Sequence, residues 1–126
     1  ETQEQKYHFE CLNDNIPTMM AVANDISYDE IFRFPLRNKM TPSDILIGIS
    51  GSGNSRNVVN AMEYAKSIGG TTIAIVGYSG GRLREIADHC IHVPIDHMHE
   101  RIKSAIDNGE RNQCLQRKEL QTVFVF

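Results

Sequence analysis

Six residues from Ile45 to Ser50, read ILIGIS, form an almost unbroken apolar run, and five small ones follow: Gly51, Ser52, Gly53, Asn54 and Ser55. Beyond them Val58, Ala61, Met62, Ala65 and Ile68 recur at three and four residues, the spacing that gathers apolar groups on one face of a helix. The pattern predicts a buried strand, a small-residue loop and a helix that stops at Gly69 and Gly70. A second unit repeats it. Thr71 to Val76, TTIAIV, is β-branched and continuously apolar; Gly77, Tyr78, Ser79, Gly80 and Gly81 make another small loop. A short helix with Leu83, Ile86 and Ala87 then leads to a last strand, Cys90 to Val93, stopped by Pro94.

Upstream, Tyr7 to Leu12 alternates aromatic or apolar residues with more polar ones, as a strand with one wetter face does. Asn13 to Asn15 can cap a helix over roughly Ile16 to Asp25, whose first turn suits Pro17 and whose apolar face is Met19, Met20, Val22, Ala23 and Ile26. Between Ser27 and Met40, Pro35 interrupts an amphipathic pattern, so short helical pieces are expected there. Thr41 to Asp44 is a turn. Strands alternating with helices through short loops predict a parallel sheet covered by helices, with ligands bound beyond the carboxyl ends of the strands. From Ile95 onward the pattern fades. Glu100 to Asp107 and Glu110 to Leu120 are compatible with helix, and the apolar tail Val123, Phe124, Val125 and Phe126 reads as a contact surface for another subunit or as a strand-like end.

The length, 126 residues, fits one domain, and 40% hydrophobic with 23% charged residues is ordinary for a globular chain. A net charge of −3 argues against nucleic acid as a partner. No apolar run is long enough for a bilayer, and the polar start ETQEQK lacks a signal-peptide core, so no membrane partner and a cytoplasmic location are expected. Cys11, Cys90 and Cys114 are odd in number and form no CxxC pair; buried, reduced thiols are expected. Met19, Met20 and Met62 lie at helical spacing and read as core.

Hydroxyls, an amide and two glycines at a helix N-terminus favour an anion, because free N–H groups and the helix dipole converge there. The Ser50–Ser55 loop is not a Walker A loop, since Arg56 follows it and the segment holds no lysine; nor is it a dinucleotide loop, since Arg56 also stands where a third glycine is required. What remains is a cup in which Ser50, Ser52 and Ser55 can donate hydroxyls beside the N–H groups of Gly53 to Asn57, suited to a terminal phosphate monoester. The competing reading is a tight turn with Asn54 or Ser55 as helix cap. Arg56 and Arg82 could pair with the same phosphate, although solvated arginines are commoner. Asp96, His97 and His99 form a crowded cluster without a distant fourth ligand, so no metal is expected, and no cofactor.

The stretch DILIGISGSGNSRNVVNAMEYAKSIGGTTIAIVGYSGGRLREIADHCIHVP resembles the sugar isomerase (SIS) domain, particularly its phosphoheptose isomerase-like branch. The resemblance rests on the SGSGNS loop, the GYSGG turn and the ending formed by Leu83, Ala87, Asp88, Val93 and Pro94. It implies a flavodoxin-like three-layer α/β sandwich with a mostly parallel sheet. The chain would be one SIS domain over residues 1–126, with its motif-bearing core at 7–94 and a divergent segment at 95–126. It further implies a sugar phosphate ligand, phosphate binding by Ser50, Ser52, Asn54 and Ser55, and a homo-oligomer, dimer or tetramer, with sites at subunit interfaces. The family's first strand, Gly/Ser-rich loop and helix have no counterpart ahead of Tyr7. Because that strand lies between the equivalents of Tyr7–Leu12 and Ile45–Ser50, the chain is expected to be incomplete or its sheet closed differently. The resemblance places one acid–base group, a glutamate, in that absent region and the other on a C-terminal histidine, for which His97 and His99 are the candidates. Two functions follow: an aldose–ketose isomerase acting on sedoheptulose 7-phosphate, or a non-catalytic module that senses a phosphosugar or serves as a regulatory, protein-interacting subunit.

Overall fold

The computed structural model describes residues 8–93 and the strand backbone at 122–125. In chain order these form β1 (His8–Cys11), α1 (Ile16–Asp25), the short α2 (Arg33–Leu36), β2 (Ile45–Ser50), α3 (Arg56–Ser67), β3 (Thr71–Val76), α4 (Gly81–Ile86), β4 (His89–His92) and β5 (Thr122–Val125). Single 3-10 turns at Leu12–Asp14 and Tyr28–Glu30 join them. The predicted capping of α1 is present: the Asn15 side chain accepts from the Thr18 N–H at 3.1 Å, with Pro17 in the first turn.

All five strands are parallel, in the order β1-β5-β2-β3-β4. The C-terminal tail is therefore strand-like, and it lies between β1 and β2, where the missing family strand was expected. Here His8–Cys11 pair with Thr122–Val125, and Ile45–Ile47 pair with Val123–Val125. Pairing there satisfies backbone groups that an open seam would leave without partners. β2 runs on past this neighbour, so among the described residues Gly48, Ile49 and Ser50 have a ladder partner only on the β3 side.

Alternation along the strands sorts the core into two faces. Leu46, Ala74 and Val76 point to the face where Val22, Leu36, Val58, Ala61, Met62, Ala65 and Leu83 gather from the described helices. Ile45, Ile73 and Ile75 are buried on the opposite face. Burial on both faces explains why β2 and β3 read as continuous rather than alternating apolar runs. Each large side chain taken fully out of water, Leu36, Leu46, Met62 and Leu83 among them, contributes roughly 1.5–3 kcal/mol.

Two expectations about the core need correction. Met62 is fully buried and Met19 packs partly against the cluster, but Met20 is 67% exposed, and Ile26 is exposed as well. Only the side of α1 that carries Met19, Val22 and Ala23 joins the core cluster, and Met20 lies off that side. Cys11 and Cys90 are exposed rather than buried; among the described residues β1 and β4 lie at the sheet's edges, with fewer neighbours to cover them. Cys114 and the helices expected beyond Ile95 lie outside the described residues.

At the amino end of the sheet, side chains hold backbone. Asp44 accepts from the Thr41 N–H at 2.7 Å and the Thr41 hydroxyl at 3.1 Å, and its carbonyl accepts from Thr71 N–H at 3.1 Å. Asp88 takes both the N–H and the hydroxyl of Thr72, while its own N–H donates back to the Thr72 hydroxyl. Partial burial pushes the Asp88 carboxyl up, but the Thr72 bonds and nearby Lys66 outweigh it and hold the group below its ordinary value of 3.8.

Candidate functional site

Register aligns the carboxyl ends of three strands: Ser50 pairs with Val76, and Val76 with His92. The two small-residue loops leave from adjacent strands at this edge and are joined to one another. Gly77 N–H donates to Gly51 carbonyl at 3.0 Å, and Leu83 N–H donates to Gly53 carbonyl at 2.9 Å. The approach is so close that a Cβ on Gly53 would sit 1.9 Å from the Gly80 oxygen, and one on Gly81 would sit 2.4 Å from the Ser52 oxygen. Both glycines also have positive φ, +70° and +53°, which side chains disfavour. These positions need glycine for contact and for conformation.

The loop's own side chains divide the work. Ser50 is only 5% exposed; its Oγ accepts from the Gly53 N–H at 3.2 Å and lies 3.1 Å from the Ser55 Oγ. Ser52 Oγ accepts from the Asn54 N–H at 3.1 Å, and both Ser52 and Ser55 are exposed. Ser55 is the N-cap residue of α3, yet its hydroxyl makes no capping bond. Of the first-turn amides of that twelve-residue helix, Val58 N–H donates to the Asn57 Oδ1 at 2.8 Å, which leaves those of Arg56 and Asn57 without a backbone acceptor in the helix. The first turn of α3 therefore opens onto Ser52 and Ser55, with Ser50 beneath them.

Asn54 has a role that the sequence reading assigned elsewhere. Its Oδ1 accepts the Arg82 N–H at 2.9 Å, capping α4 rather than α3. α4 begins after Gly80, which carries no side chain to cap it, and the uncapped Gly–Gly start was the available signal that a cap must come from another segment. Arg56 is exposed and stands 3.8 Å from Asp29, whereas Arg82 is engaged by Glu85 at 3.2 Å and Glu63 at 3.6 Å. One further contact was not foreseen: the His92 ring Nε2 meets the Tyr78 carbonyl at 2.6 Å. His97 and His99 lie outside the described residues, as does Asp96.

Comparison with known proteins bears on this geometry. The family model for the SIS domain matches residues 14–108. A phosphoheptose isomerase of Akkermansia muciniphila is 46% identical over 78 residues, which is 62% of this chain and 41% of that protein. A probable phosphoheptose isomerase of Thermoplasma acidophilum is 44% identical over 85 residues, 68% of this chain and 47% of its own length. The chain thus spans under half the length of these relatives. Among solved structures, a phosphoheptose isomerase from Neisseria gonorrhoeae superposes with a TM-score of 0.70 at 30% identity, over 77% of this chain and 55% of that one. One from Francisella tularensis gives 0.68, also at 30% identity, over 74% and 50%. A match over residues 14–108, carrying both loops and the strands that launch them, establishes that this chain belongs to the SIS-domain family.

Proposed function

We propose that the chain binds a phosphorylated sugar through its terminal phosphate. Ser52 and Ser55 donate hydroxyls, Arg56 and Asn57 at the start of α3 add N–H groups, and Ser50 and Asn54 act from behind. The observation that carries this reading is the pair of exposed hydroxyls at the start of a twelve-residue helix, backed by a buried serine. When Ser50 Oγ, which accepts from Gly53, donates its own proton to Ser55 Oγ, the Ser55 O–H is left to point at a ligand. Ser52 likewise accepts from Asn54 and keeps its proton for the phosphate. Hydrogen bonds to a charged group contribute roughly 1.5–3 kcal/mol each. Replacing both residues, Ser52→Ala with Ser55→Ala, is expected to weaken binding of sedoheptulose 7-phosphate by at least about tenfold in a calorimetric titration. Unchanged affinity would refute the reading.

Similarity to phosphoheptose isomerases extends this reading to a reaction, aldose–ketose isomerisation of a heptose phosphate. Moving a proton between adjacent carbons needs a positioned base and usually a second acid–base group. His97 and His99 are the proposed candidates, and turnover that vanishes on changing either one would identify it. A non-catalytic phosphosugar sensor is the second reading: none of the described groups in the cup is a base at neutral pH. Measurable turnover would exclude it. A homo-oligomer completes the proposal, supported by the exposed apolar residues Ile16, Met20, Ile26 and Tyr28 along and just after α1. Light scattering should give the mass of two or four chains.

A further inference from the structure

We infer that Tyr78 is the residue that meets the sugar, and so selects among phosphorylated ligands, whereas the serine cup reads only the phosphate. The inference rests on the phosphosugar reading above and adds a second contact to it.

Tyr78 is the one non-glycine residue with positive φ among the described residues, at 42°. A side chain in that region is strained, and glycine or asparagine is the ordinary occupant. It holds the first inner position of a tight turn closed by Gly80 N–H on Gly77 carbonyl at 2.8 Å, in a loop where glycine is otherwise plentiful. Core packing does not account for a tyrosine here, because the residue is 55% exposed. Strain of this kind persists only where the surroundings impose it. Here they do so from two sides: the Gly77 N–H is tied to the cup at Gly51, and the His92 ring holds the Tyr78 carbonyl. A carbonyl accepts, so His92 Nε2 carries the proton, which suits the neutral Nε2–H tautomer and the imidazolium alike.

The position fits a ligand that starts in the cup. Ser50 ends β2 and its register partners Val76 and His92 end the next two strands, so the cup and the His92 anchor are two strand spacings apart, about 10 Å. Tyr78 stands between them in the chain path of the loop, one residue from the Gly51 contact. A phosphate seated at Ser52 and Ser55 leaves the rest of the molecule to cross this edge. A tyrosine offers what a polyol needs: a flat apolar face for C–H groups and a hydroxyl for a hydrogen bond. Inorganic phosphate, by contrast, has nothing to place there.

The test compares Tyr78→Asn with the unchanged 126-residue chain by calorimetric titration of sedoheptulose 7-phosphate and of inorganic phosphate, with thermal unfolding alongside. Asparagine tolerates the positive φ, so the variant should unfold at the same temperature or higher. Sugar phosphate affinity should fall by at least about fivefold while phosphate affinity stays within about twofold, and Tyr78→Phe, which keeps the ring, should hold most of the lost affinity. Equal loss for both ligands, unchanged affinity for the sugar phosphate, or a lower unfolding temperature would each overturn the assignment. If the unchanged chain binds neither ligand, the phosphosugar reading itself fails and takes this one with it; binding of both ligands by the unchanged chain, with no selective loss in Tyr78→Asn, defeats this assignment alone.

Discussion

The loop after β2 and the loop after β3 begin alike, each a run of small residues leaving an apolar strand, and they end up doing different work. The first feeds a helix of twelve residues, folds around its own serines and leaves two hydroxyls exposed. The second feeds a helix of only six residues, lacks a side-chain cap of its own and takes one from Asn54 of the first. Its carbonyls and amides are spent on the neighbouring loop and on His92. One loop leaves its hydroxyls open at the start of a long helix, and the other is braced against it. Composition alone does not separate them, since both are glycine- and serine-rich. The length of the helix behind each loop, and the identity of the residue that caps it, do.

The strongest way to break this pairing is at the contact itself. Gly53→Ala places a methyl group against the Gly80 carbonyl at a backbone angle that disfavours it. Overpacking and strain together should cost about 3 kcal/mol or more, read from denaturant midpoints. A cost near zero would show that the loops are not interlocked. Next in size, the double change Ser52→Ala with Ser55→Ala separates the two roles. Binding should fall at least about tenfold while stability moves by less than about 0.5 kcal/mol, as for exposed positions outside the core. A large loss of stability would make the serines part of the brace instead.

Asn54→Ala sharpens the comparison from the other side. Losing the cap on α4 should cost about 1 kcal/mol and speed exchange of the Arg82 amide about fivefold, while the α3 amides keep their protection. Faster exchange at the start of α3 instead would put the cap on the wrong helix. The smallest effect belongs to Asp88, at the opposite end of the sheet. Its carboxyl titrates below 3.8, so its bonds to Thr72 stabilise the fold above that pH and are lost as pH falls through the lower, folded value. With the side chain 40% exposed and its Lys66 pair on the surface, the contribution is a few tenths of a kcal/mol. The difference in unfolding temperature between the unchanged chain and Asp88→Asn should therefore be present near neutral pH and disappear as pH falls through the lowered value.

Much of this molecule was legible along the chain because the relevant physics is local. The apolar runs at Ile45–Ser50 and Thr71–Val76 are strands with the predicted bounds, since a strand covered on both faces has little freedom to be anything but continuously apolar. The three-four spacing from Val58 to Ala65 marked the buried face of α3, and Asn15 with Pro17 marked the start of α1. The SGSGNS loop could be read as an anion-site candidate because its hydroxyls and a helix start adjoin one another in sequence. What required the tertiary structure involves residues far apart in the chain. Met20 and the two edge cysteines are exposed because exposure depends on which neighbours a helix side or an edge strand happens to have. Asn54 caps a helix 28 residues away, and His92 holds a carbonyl 14 residues back. The tail at Thr122–Val125 enters the sheet between β1 and β2, a long-range pairing that no local pattern encodes. Local patterning could mark the tail as a strand; its place depends on pairing with strands more than seventy residues away in the chain.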